Sequence, residues 1–409
     1  MDPTHIISLL QPWNPWEKPL SAGIPRTKYI NQIYPFIDNK EVLILQGIRR
    51  CGKSTILKQL MQELIRNSIN PLQILYLNLE DYHFTPYLRI EFLEEVLQAY
   101  KKHTINHQKI YLFMDEVQKI EGWERWVRTY YDQEEDIKFI VSGSSSSLMS
   151  RESSTVMTGR NITFTIWPLS FKEFCSFSST QSLQEYLEFG GFPEVVLQSS
   201  EFKKKALLQQ YFTDILYKDV INRHNIRNAK QMNEIASYLI NAAGGRISMS
   251  KLSRIFGLSQ QTISLYVSYL VEAYLLYEVS WFSYSLKTRH DVTKLPKLYA
   301  LDNGLINTLS VKYQGNKGQL FENAVLIHLA AKFKEVHYWS TLKTEVDFIV
   351  DKMAINVTAT DTIPEREERG LQEFVKKHRN FTSLLITESK TGEKVMPLRE
   401  FLLQDWEYF

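Results

Sequence analysis

The chain has 409 residues, more than one ordinary hydrophobic core can hold, so about two to four domains are expected. Hydrophobic residues make up 44% and charged residues 23%, which excludes a disordered chain, and the two cysteines exclude a disulfide framework and fit a reducing, cytoplasmic compartment. The formal net charge of +2 excludes a uniformly basic molecule, so any contact with nucleic acid must use a local basic patch.

Residues 1–36 form an aromatic, proline-containing lead-in, and residues 37–175 alternate apolar strands with helical patterns. The predicted strands are Glu41–Leu45, Gln73–Asp81, Lys109–Glu116, Ile137–Ser144 and Ile162–Leu169. Continuous apolar strands that alternate with helices are typical of a parallel sheet covered on both faces. This stretch therefore predicts an α/β domain.

The rest of the chain changes character twice. Residues 176–235 are helical and are interrupted by the sequence GGFP at Gly190–Pro193; residues 236–312 predict closely spaced helices and a strand, and residues 313–409 mix one helix with alternating strands. No stretch approaches the roughly 18 apolar residues of a membrane span, so no membrane partner is expected. The first residues lack the pattern of a secretory signal.

A phosphate-binding loop is predicted between the first strand and the helix that follows it. The pattern G-x-x-x-x-G-K-[ST] is complete, at Gly47, Gly52, Lys53 and Ser54. Glycines let backbone N–H groups point at phosphate, Lys53 adds charge at the β- and γ-phosphates, and Ser54 offers a hydroxyl to Mg²⁺. The residues expected to contact ATP or ADP here are Gly47, Arg49, Arg50, Gly52, Lys53, Ser54 and Thr55.

The third strand ends in an acidic pair. Asp115 is predicted to lie beside Ser54 and to hold Mg²⁺ through water, and Glu116 is predicted to polarise the attacking water. The alternative is that the two carboxylates only cap the strand. Because the pair follows a complete phosphate loop, the sequence favours ATP hydrolysis with Lys53, Asp115 and Glu116 as its catalytic residues.

Two further positions could act on the γ-phosphate. Ser142 or Ser144, where the fourth strand ends, is predicted to sense that phosphate, although serines there also form turns. Arg160, in the sequence TGR before the fifth strand, stands where ring-forming ATPases carry an arginine that reaches a neighbour's γ-phosphate. The alternative role of Arg160 is a surface salt bridge.

The motifs GxRRxGKS, YLFMDEVQ, SGSSSSLMSRE…TGR…PLSFKEF and GGFPEVV resemble one branch of the AAA ATPases, from about Arg26 to Asp347. That branch joins its ATPase to a winged helix and a C-terminal domain similar to restriction endonucleases. The resemblance implies an ASCE core, in which an extra strand separates the phosphate-loop strand from the magnesium strand. It also implies a helical lid with Gly191 and Pro193 close to the nucleotide, whereas Glu194 stands where many AAA proteins carry a sensor arginine.

The stretch SKLSRIFGLSQQTISLYVSYL has the rhythm of a helix–turn–helix, with Gly257 at the turn and Ser259 as the N-cap of the second helix. The sequence SYSLKTRHDVTKLPK behind it resembles a basic wing. The residues predicted to contact DNA are Gln260, Gln261, Lys287, Arg289, Lys294 and Lys297. Such charges are also common on a solvated face, and winged helices also dock proteins.

The C-terminal segment resembles a nuclease of the PD-(D/E)xK type. Glu322 would be the helix acid and Asp347 the aspartate, but Asn356 and Thr358 replace the second carboxylate and the lysine. Metal-dependent hydrolysis of a phosphodiester needs both groups. This domain is therefore interpreted as a degenerate nuclease fold that serves DNA binding or subunit packing.

The sequence as a whole predicts Mg²⁺-dependent ATP hydrolysis coupled to DNA binding or remodelling in a homo-oligomer. One alternative is a nucleotide-dependent switch that acts on a protein partner. The other is an ATP-regulated nuclease, against which the INVT strand argues.

Overall fold

The computed structural model describes residues 2–103, 109–133, 136–144, 156–284, 294–310 and 316–404. The chain divides into two compact units, Met1–Ile166 and Trp167–Phe409. This boundary precedes the one expected at residue 175. Phe171 and Phe174 explain the difference, because both are buried in an apolar cluster of the second unit that also contains Phe401.

The first unit contains a five-stranded sheet. Its strands are β1 Val42–Gln46, β2 Ile74–Asn78, β3 Ile110–Asp115, β4 Ile137–Ser142 and β5 Asn161–Thr165. The order is β2-β3-β4-β1-β5, and all neighbours are parallel. Strand β4 separates β1 from β3, so the ASCE arrangement is confirmed.

Helices cover both faces of this sheet. They are α1 Pro3–Leu10, α2 Thr27–Ile33, α3 Lys53–Arg66, α4 Ile90–His103 and α5 Trp123–Asp132. Every residue of β3 is buried, as expected for a central strand of a parallel sheet. Helix α4 buries Phe92, Val96 and Tyr100, a spacing of four residues that places them on one face.

The lead-in is an integral part of this unit. Ile6 and Leu10 of α1 belong to its apolar core. The Asn14 side-chain amide donates a 2.9 Å hydrogen bond to the Tyr76 carbonyl, and its oxygen accepts a 2.6 Å bond from the Tyr76 N–H. Asn14 thereby provides hydrogen-bond partners for the Tyr76 N–H and carbonyl groups of β2, which lies at the edge of the sheet.

The second unit combines helices with a seven-stranded sheet. Its helices are α6 Phe171–Phe177, α7 Leu183–Phe189, α8 Pro193–Val196, α9 Glu201–Ile215, α10 Ala229–Asn241, α11 Met249–Phe256, α12 Gln260–Glu272, α13 Asn303–Leu309, α14 Lys317–Ala330, α15 Glu365–Lys377 and α16 Leu398–Leu403. Its strands are β6 Leu276–Trp281, β7 Lys297–Ala300, β8 His337–Ser340, β9 Glu345–Val350, β10 Met353–Val357, β11 Thr382–Thr387 and β12 Val395–Pro397. In the described part of the chain, no helix is long and apolar enough to cross a bilayer.

The strand order of this sheet is β12-β11-β10-β9-β8-β6-β7. Strand β6 pairs with β7 in antiparallel fashion and with β8 in parallel fashion, through Ser280–His337 and Trp281–Tyr338. Residues 236–312 and 313–409, expected to form separate domains, therefore contribute strands to one continuous sheet.

Candidate nucleotide site

The loop between β1 and α3 depends on glycine at two positions. A Cβ atom on Gly47 would lie 2.1 Å from the Ile166 carbonyl oxygen, closer than any side chain allows. Gly52 has φ of 98°, a backbone conformation that L-residues rarely adopt. Helix α3 begins at the next residue, Lys53, so Ser54 and Thr55 lie in its first turn. The loop thus presents the N-terminal end of a helix, where anions bind favourably.

The Lys53 side chain lies inside this loop and is 5% exposed. Its ammonium group donates hydrogen bonds of 3.1 Å to the Gly47 carbonyl and 3.2 Å to the Ile48 carbonyl. Both acceptors are neutral, so a charged acceptor such as phosphate would be electrostatically favourable there.

A residue outside the motif also supports the loop. The Arg26 guanidinium is 2% exposed and donates a 2.8 Å hydrogen bond from Nη1 to the Cys51 carbonyl. The Arg26 backbone N–H donates to Gln59 Oε1 of α3 at 3.0 Å. No motif in the sequence predicts this role, because its signal is a single basic residue about 20 positions before the phosphate loop.

Asp115 ends β3 and is 3% exposed. Its Oδ2 accepts a 2.7 Å hydrogen bond from the Tyr76 hydroxyl, and its Oδ1 accepts one from the Ser142 hydroxyl. Both donors come from the neighbouring strands β2 and β4. The two oxygens are thereby fixed in direction, and burial together with the Asp115 charge raises the pKa of Tyr76, which keeps it a donor.

Glu116 follows in a left-handed backbone conformation, with φ of 56° and ψ of 45°. This conformation is uncommon for a residue other than glycine and costs on the order of 1 kcal/mol. The Gln118 amide donates to Glu116 Oε2, and the Glu116 N–H lies 3.5 Å from Ser142 Oγ. Strain of this kind clusters at functional sites, where the surrounding contacts hold it.

These residues fit ATP and Mg²⁺ by the chemistry of their donors. Parallel strands present their carboxyl ends at one edge of the sheet, and β4 alone separates β1 from β3. This edge carries a buried ammonium, helix N–H groups and hydroxyls for phosphate. It also carries the carboxylates of Asp115 and Glu116, and Mg²⁺ is commonly bound by one or two carboxylates together with substrate phosphates.

The other residues expected here lie at both ends of the sheet. Arg49, Arg50 and Ser144 follow the carboxyl ends of β1 and β4, whereas Arg160 precedes β5, whose Asn161 pairs with Val42 at the start of β1. The Arg49 guanidinium is 3.3 Å from Glu80 Oε1, and Arg50 is exposed with φ of 69°. Ser144 is 6% exposed just after β4. Arg160 donates from Nε to Asp132 Oδ1 at 3.1 Å, which is the surface salt bridge named as its alternative role.

Gly191 and Pro193 belong to the second unit. The Gly191 N–H donates a 2.7 Å hydrogen bond to Asp302 Oδ2, and Pro193 opens helix α8. A Cβ on Gly190 would lie 1.9 Å from Asp302 Oδ1. The GGFP sequence is therefore fitted around the Asp302 carboxylate, and its expected role at the nucleotide stays a prediction.

The residues predicted for DNA have different surroundings. Gln260 and Gln261 are exposed at the start of α12, and Gly257, with φ of 65°, forms the predicted turn before Ser259, whose side chain caps that helix. The Lys294 ammonium lies 4.5 Å from the centre of the Trp281 ring. Lys287 and Arg289 lie outside the described residues.

Lys297 requires a correction. Its side chain is 3% exposed and its ammonium is surrounded by carboxylates, at 3.1 Å from Glu322, 2.5 Å from Glu345 and 3.6 Å from Asp347. The prediction that Lys297 contacts DNA phosphate from an exposed wing is wrong, because this charge is buried and neutralised. Two exposed basic residues that were not among the predicted DNA contacts, Lys251 and Arg254, lie on α11, the helix before the turn.

Three family models match the chain. The model of an AAA domain matches residues 39–175, a domain of unknown function (DUF8612) matches residues 180–316, and a second domain of unknown function (DUF4143) matches residues 317–401. The AAA match covers β1 to β5 and all residues of the nucleotide site in the first unit except Arg26.

Two solved structures resemble the chain weakly. Orc1 of Aeropyrum pernix in complex with DNA has a TM-score of 0.33 at 12% identity, covering 71% of this chain and 93% of that one. A variant of RuvB from Thermotoga maritima has a TM-score of 0.33 at 16% identity, covering 63% of this chain and 90% of that one. At these TM-scores the likeness is too weak to support an inference about this chain.

Two relatives are similar in sequence over most of the chain. An uncharacterized protein of Haemophilus influenzae is 29% identical over 347 residues, which cover 81% of this chain and 84% of that protein. An uncharacterized protein of Methanocaldococcus jannaschii is 32% identical over 393 residues, which cover 88% of this chain and 85% of that protein. Identity of this extent shows that the chain belongs to the same family as the M. jannaschii protein, and residues 39–175 of the chain, which hold the nucleotide site, match the AAA domain.

Proposed function

We propose that this protein binds ATP at the loop Gly47–Thr55 and hydrolyses it with Mg²⁺. The observation that carries the proposal is the buried Lys53 ammonium at the end of β1, on the same sheet edge as the carboxylates of Asp115 and Glu116. Bound Mg²⁺ would neutralise charge on the phosphates.

Each residue then has a defined task. Lys53 and the loop N–H groups bind the β- and γ-phosphates, while Ser54 and Asp115 hold the cation. The hydroxyls of Tyr76 and Ser142 fix the Asp115 carboxylate. Glu116 orients and deprotonates the attacking water, and Gln118 holds the Glu116 carboxylate in place.

Two substitutions at this site separate binding from chemistry. Lys53→Ala removes a contact to ground-state phosphate, so we expect ATP affinity to fall at least about tenfold, a decrease of roughly 1.4 kcal/mol. Glu116→Gln keeps the volume and removes the base, so we expect ATP affinity to persist while turnover falls by about 10²-fold or more. Equilibrium binding of a fluorescent ATP analogue and release of inorganic phosphate measure the two effects.

Glu121 provides the matched control, since it is exposed on the turn after the Val117–Lys119 segment and Glu121→Gln changes charge equally. Wild-type turnover in Glu116→Gln would remove this residue from the role of base and leave it as a strand cap.

We also infer that ATP turnover is coupled to DNA binding, in a homo-oligomer. The support is the turn at Gly257 between α11 and α12, with Gln260 and Gln261 exposed at the start of the second helix and Lys251 and Arg254 exposed on the first. Helix–turn–helix proteins present base-reading side chains at this place.

The test is the ATPase rate with duplex, single-stranded and branched DNA at low salt. A rate that rises with one of these DNAs and falls back as salt increases supports the coupling. A slow rate that no DNA changes would instead favour a nucleotide-dependent switch acting on a protein partner.

A further inference from the structure

A buried lysine of the second unit lies among three carboxylates. Lys297 opens β7, and its side chain is 3% exposed. Its ammonium nitrogen is 3.1 Å from Glu322 Oε1, 2.5 Å from Glu345 Oε1 and 3.6 Å from Asp347 Oδ1. We name these four side chains the carboxylate centre.

The three acids reach this ammonium from two different elements. Glu322 lies on α14 and accepts a 2.6 Å hydrogen bond from the Tyr299 hydroxyl of β7. Glu345 and Asp347 lie on β9, and Glu345 is also paired with Arg246. The centre therefore joins the β6–β7 hairpin to the helix and the strand that carry the nuclease-like acids.

The resemblance to PD-(D/E)xK nucleases implies a divalent cation held by Glu322, Asp347 and an acid at position 356. The residue present is Asn356, whose Oδ1 accepts from the Asp347 N–H at 3.0 Å and whose amide donates to Glu367 Oε2 at 2.9 Å. Within the described ranges, no group of three or more His, Cys, Asp or Glu side chains is arranged to hold a metal ion. These residues do not fit the metal.

The position of the ammonium explains why they do not fit. Mg²⁺ binds carboxylate oxygens at about 2.0–2.1 Å, so an ion shared by Glu322 and Asp347 would occupy the space that the Lys297 nitrogen now occupies. Two cations there would repel each other strongly, because a buried site screens charge poorly. Lysine and metal are therefore alternatives.

We propose that the Lys297 ammonium is the resident cation of the carboxylate centre and takes the place of a divalent metal ion. The centre is then a structural lock between the hairpin and the nuclease-like fold, and it has no hydrolytic activity. The lysine is supplied by β7 rather than by β10, which carries Asn356, or by position 358, which follows β10 and holds Thr358.

The protonation of Asp347 agrees with this assignment. Burial, and then the charge of Glu322, hold the pKa of Asp347 well above its usual range. The ammonium acts in the opposite direction, and the Asp347 Oδ2 also accepts a 2.9 Å bond from the Val357 N–H. Lys297 and Arg246, which pairs with Glu345, together supply two positive charges to the three carboxylates, and the raised pKa of Asp347 favours its neutral form.

Removing the lysine should open the centre to a metal ion. Terbium(III) is a suitable probe, because it takes oxygen ligands and its emission is sensitised by nearby tyrosine, here Tyr299. In full-length protein without nucleotide, we expect Lys297→Met to bind terbium at least about tenfold more tightly than wild type, a gain of roughly 1.4 kcal/mol. The added Asp347→Asn substitution should abolish that gain.

The matched control is Lys294→Met, since Lys294 contacts the Trp281 ring rather than these acids and should leave terbium binding at the wild-type level. A second measurement does not depend on how Lys297→Met folds. When Asp347→Asn is the only substitution, the terbium emission of the protein should equal that of wild type. Terbium emission in wild type that Asp347→Asn removes would overturn the proposal. A folded Lys297→Met protein that gains no binding would also overturn it.

Discussion

The hydroxyls of Tyr76 and Ser142 donate hydrogen bonds to Asp115, and removing one of them should weaken Mg²⁺ binding. Tyr76→Phe deletes one hydrogen bond to Oδ2, worth about 1 kcal/mol, and leaves the ring packed in the sheet. We expect the Mg²⁺ concentration for half-maximal turnover to rise about fivefold, because the carboxylate is no longer fixed in direction. ATPase rates across a magnesium titration measure it.

Tyr111→Phe is the control for this prediction. Tyr111 lies at the other end of the same sheet, and its hydroxyl is 3.4 Å from Asp38 rather than near Asp115. An unchanged magnesium requirement in Tyr76→Phe would mean that Asp115 does not hold the ion.

A second carboxylate, Asp302, should make stability depend on pH. Burial raises the pKa of Asp302 to about 7, against the opposing effect of backbone N–H donors such as those of Gly191 and Gly304. Because the folded form binds the proton more tightly than the unfolded form, this group's contribution to stability is greatest below about pH 4 and is lost as pH rises towards 7. The slope from one such proton is at most about 1.4 kcal/mol per pH unit.

Hydrogen exchange of the buried amides of α13, which starts beside Asp302, measures this slope. Wild type should lose local stability as the pH rises from about 4 to about 7, after correction for the intrinsic exchange rate, whereas Asp302→Asn should show a flatter dependence. Equal slopes in the two proteins would mean that the N–H donors outweigh burial and that Asp302 is ionised throughout.

At the scale of elements, the strands of the first unit were predictable because each is a continuous apolar run bounded by turn residues. All five predicted strands are present, and the order with β4 between β1 and β3 is confirmed. The position of Lys297 was not predictable, because the sequence shows a lysine in a basic stretch and nothing marks it as buried. Only the tertiary fold brings Glu322 of α14 and Glu345 and Asp347 of β9 to this lysine.

Because Lys297 is buried, other basic side chains should bind the DNA backbone. We expect Lys251 and Arg254 of α11, together with Lys294, to contact the phosphates. Gln260 and Gln261 remain the residues predicted to read bases. Replacing the three basic residues by alanine should weaken binding to every sequence about equally and reduce the salt slope by about 0.9 for each phosphate that is no longer neutralised. Fluorescence anisotropy of labelled duplexes over a salt series measures both quantities.

Replacing Gln260 and Gln261 should instead reduce the difference between preferred and other sequences, since side-chain amides read adenine in the major groove. Lys203, exposed on α9 away from the turn, supplies a control that removes one positive charge, whereas the triple variant removes three. If Lys203→Ala weakened binding as much as the triple variant, α11 and α12 would not be the DNA surface.

At the scale of the whole molecule, the units do not follow the composition of the sequence. Residues 1–36 looked like a separate lead-in, yet Ile6 and Leu10 are 1% and 0% exposed in the first unit. Residues 236–409 looked like two domains, yet β6 pairs with β8 in one sheet. Both differences arise from packing between segments that are distant in sequence. The local periodicity of a sequence indicates which face of a helix or strand is apolar, but it does not indicate which other segment packs against that face.

Arg160 has two alternative roles, a surface salt bridge within the chain and a contact with the γ-phosphate of a neighbouring subunit. Its guanidinium hydrogen bond to Asp132 holds the pKa of that exposed carboxylate below its usual range, and Arg128 is 3.3 Å from the same carboxylate group. If Arg160 acts on a neighbour's γ-phosphate, Arg160→Ala should bind ATP normally and hydrolyse it at least about tenfold more slowly. Arg128→Ala is the control: it removes the other positive charge that contacts Asp132 and should leave ATP turnover unchanged.

Mixing experiments separate the neighbour's site from the chain's own. The Arg160→Ala and Lys53→Ala proteins each hydrolyse ATP more slowly than wild type on this hypothesis. A mixed assembly contains interfaces in which an intact loop faces an intact Arg160. Turnover should therefore rise on mixing, and Asp132→Asn, which releases Arg160 from its partner, should retain activity. If the Arg160→Ala protein is monomeric and hydrolyses ATP at the wild-type rate, the only role of Arg160 is its salt bridge with Asp132. ATP hydrolysis would then not require a homo-oligomer.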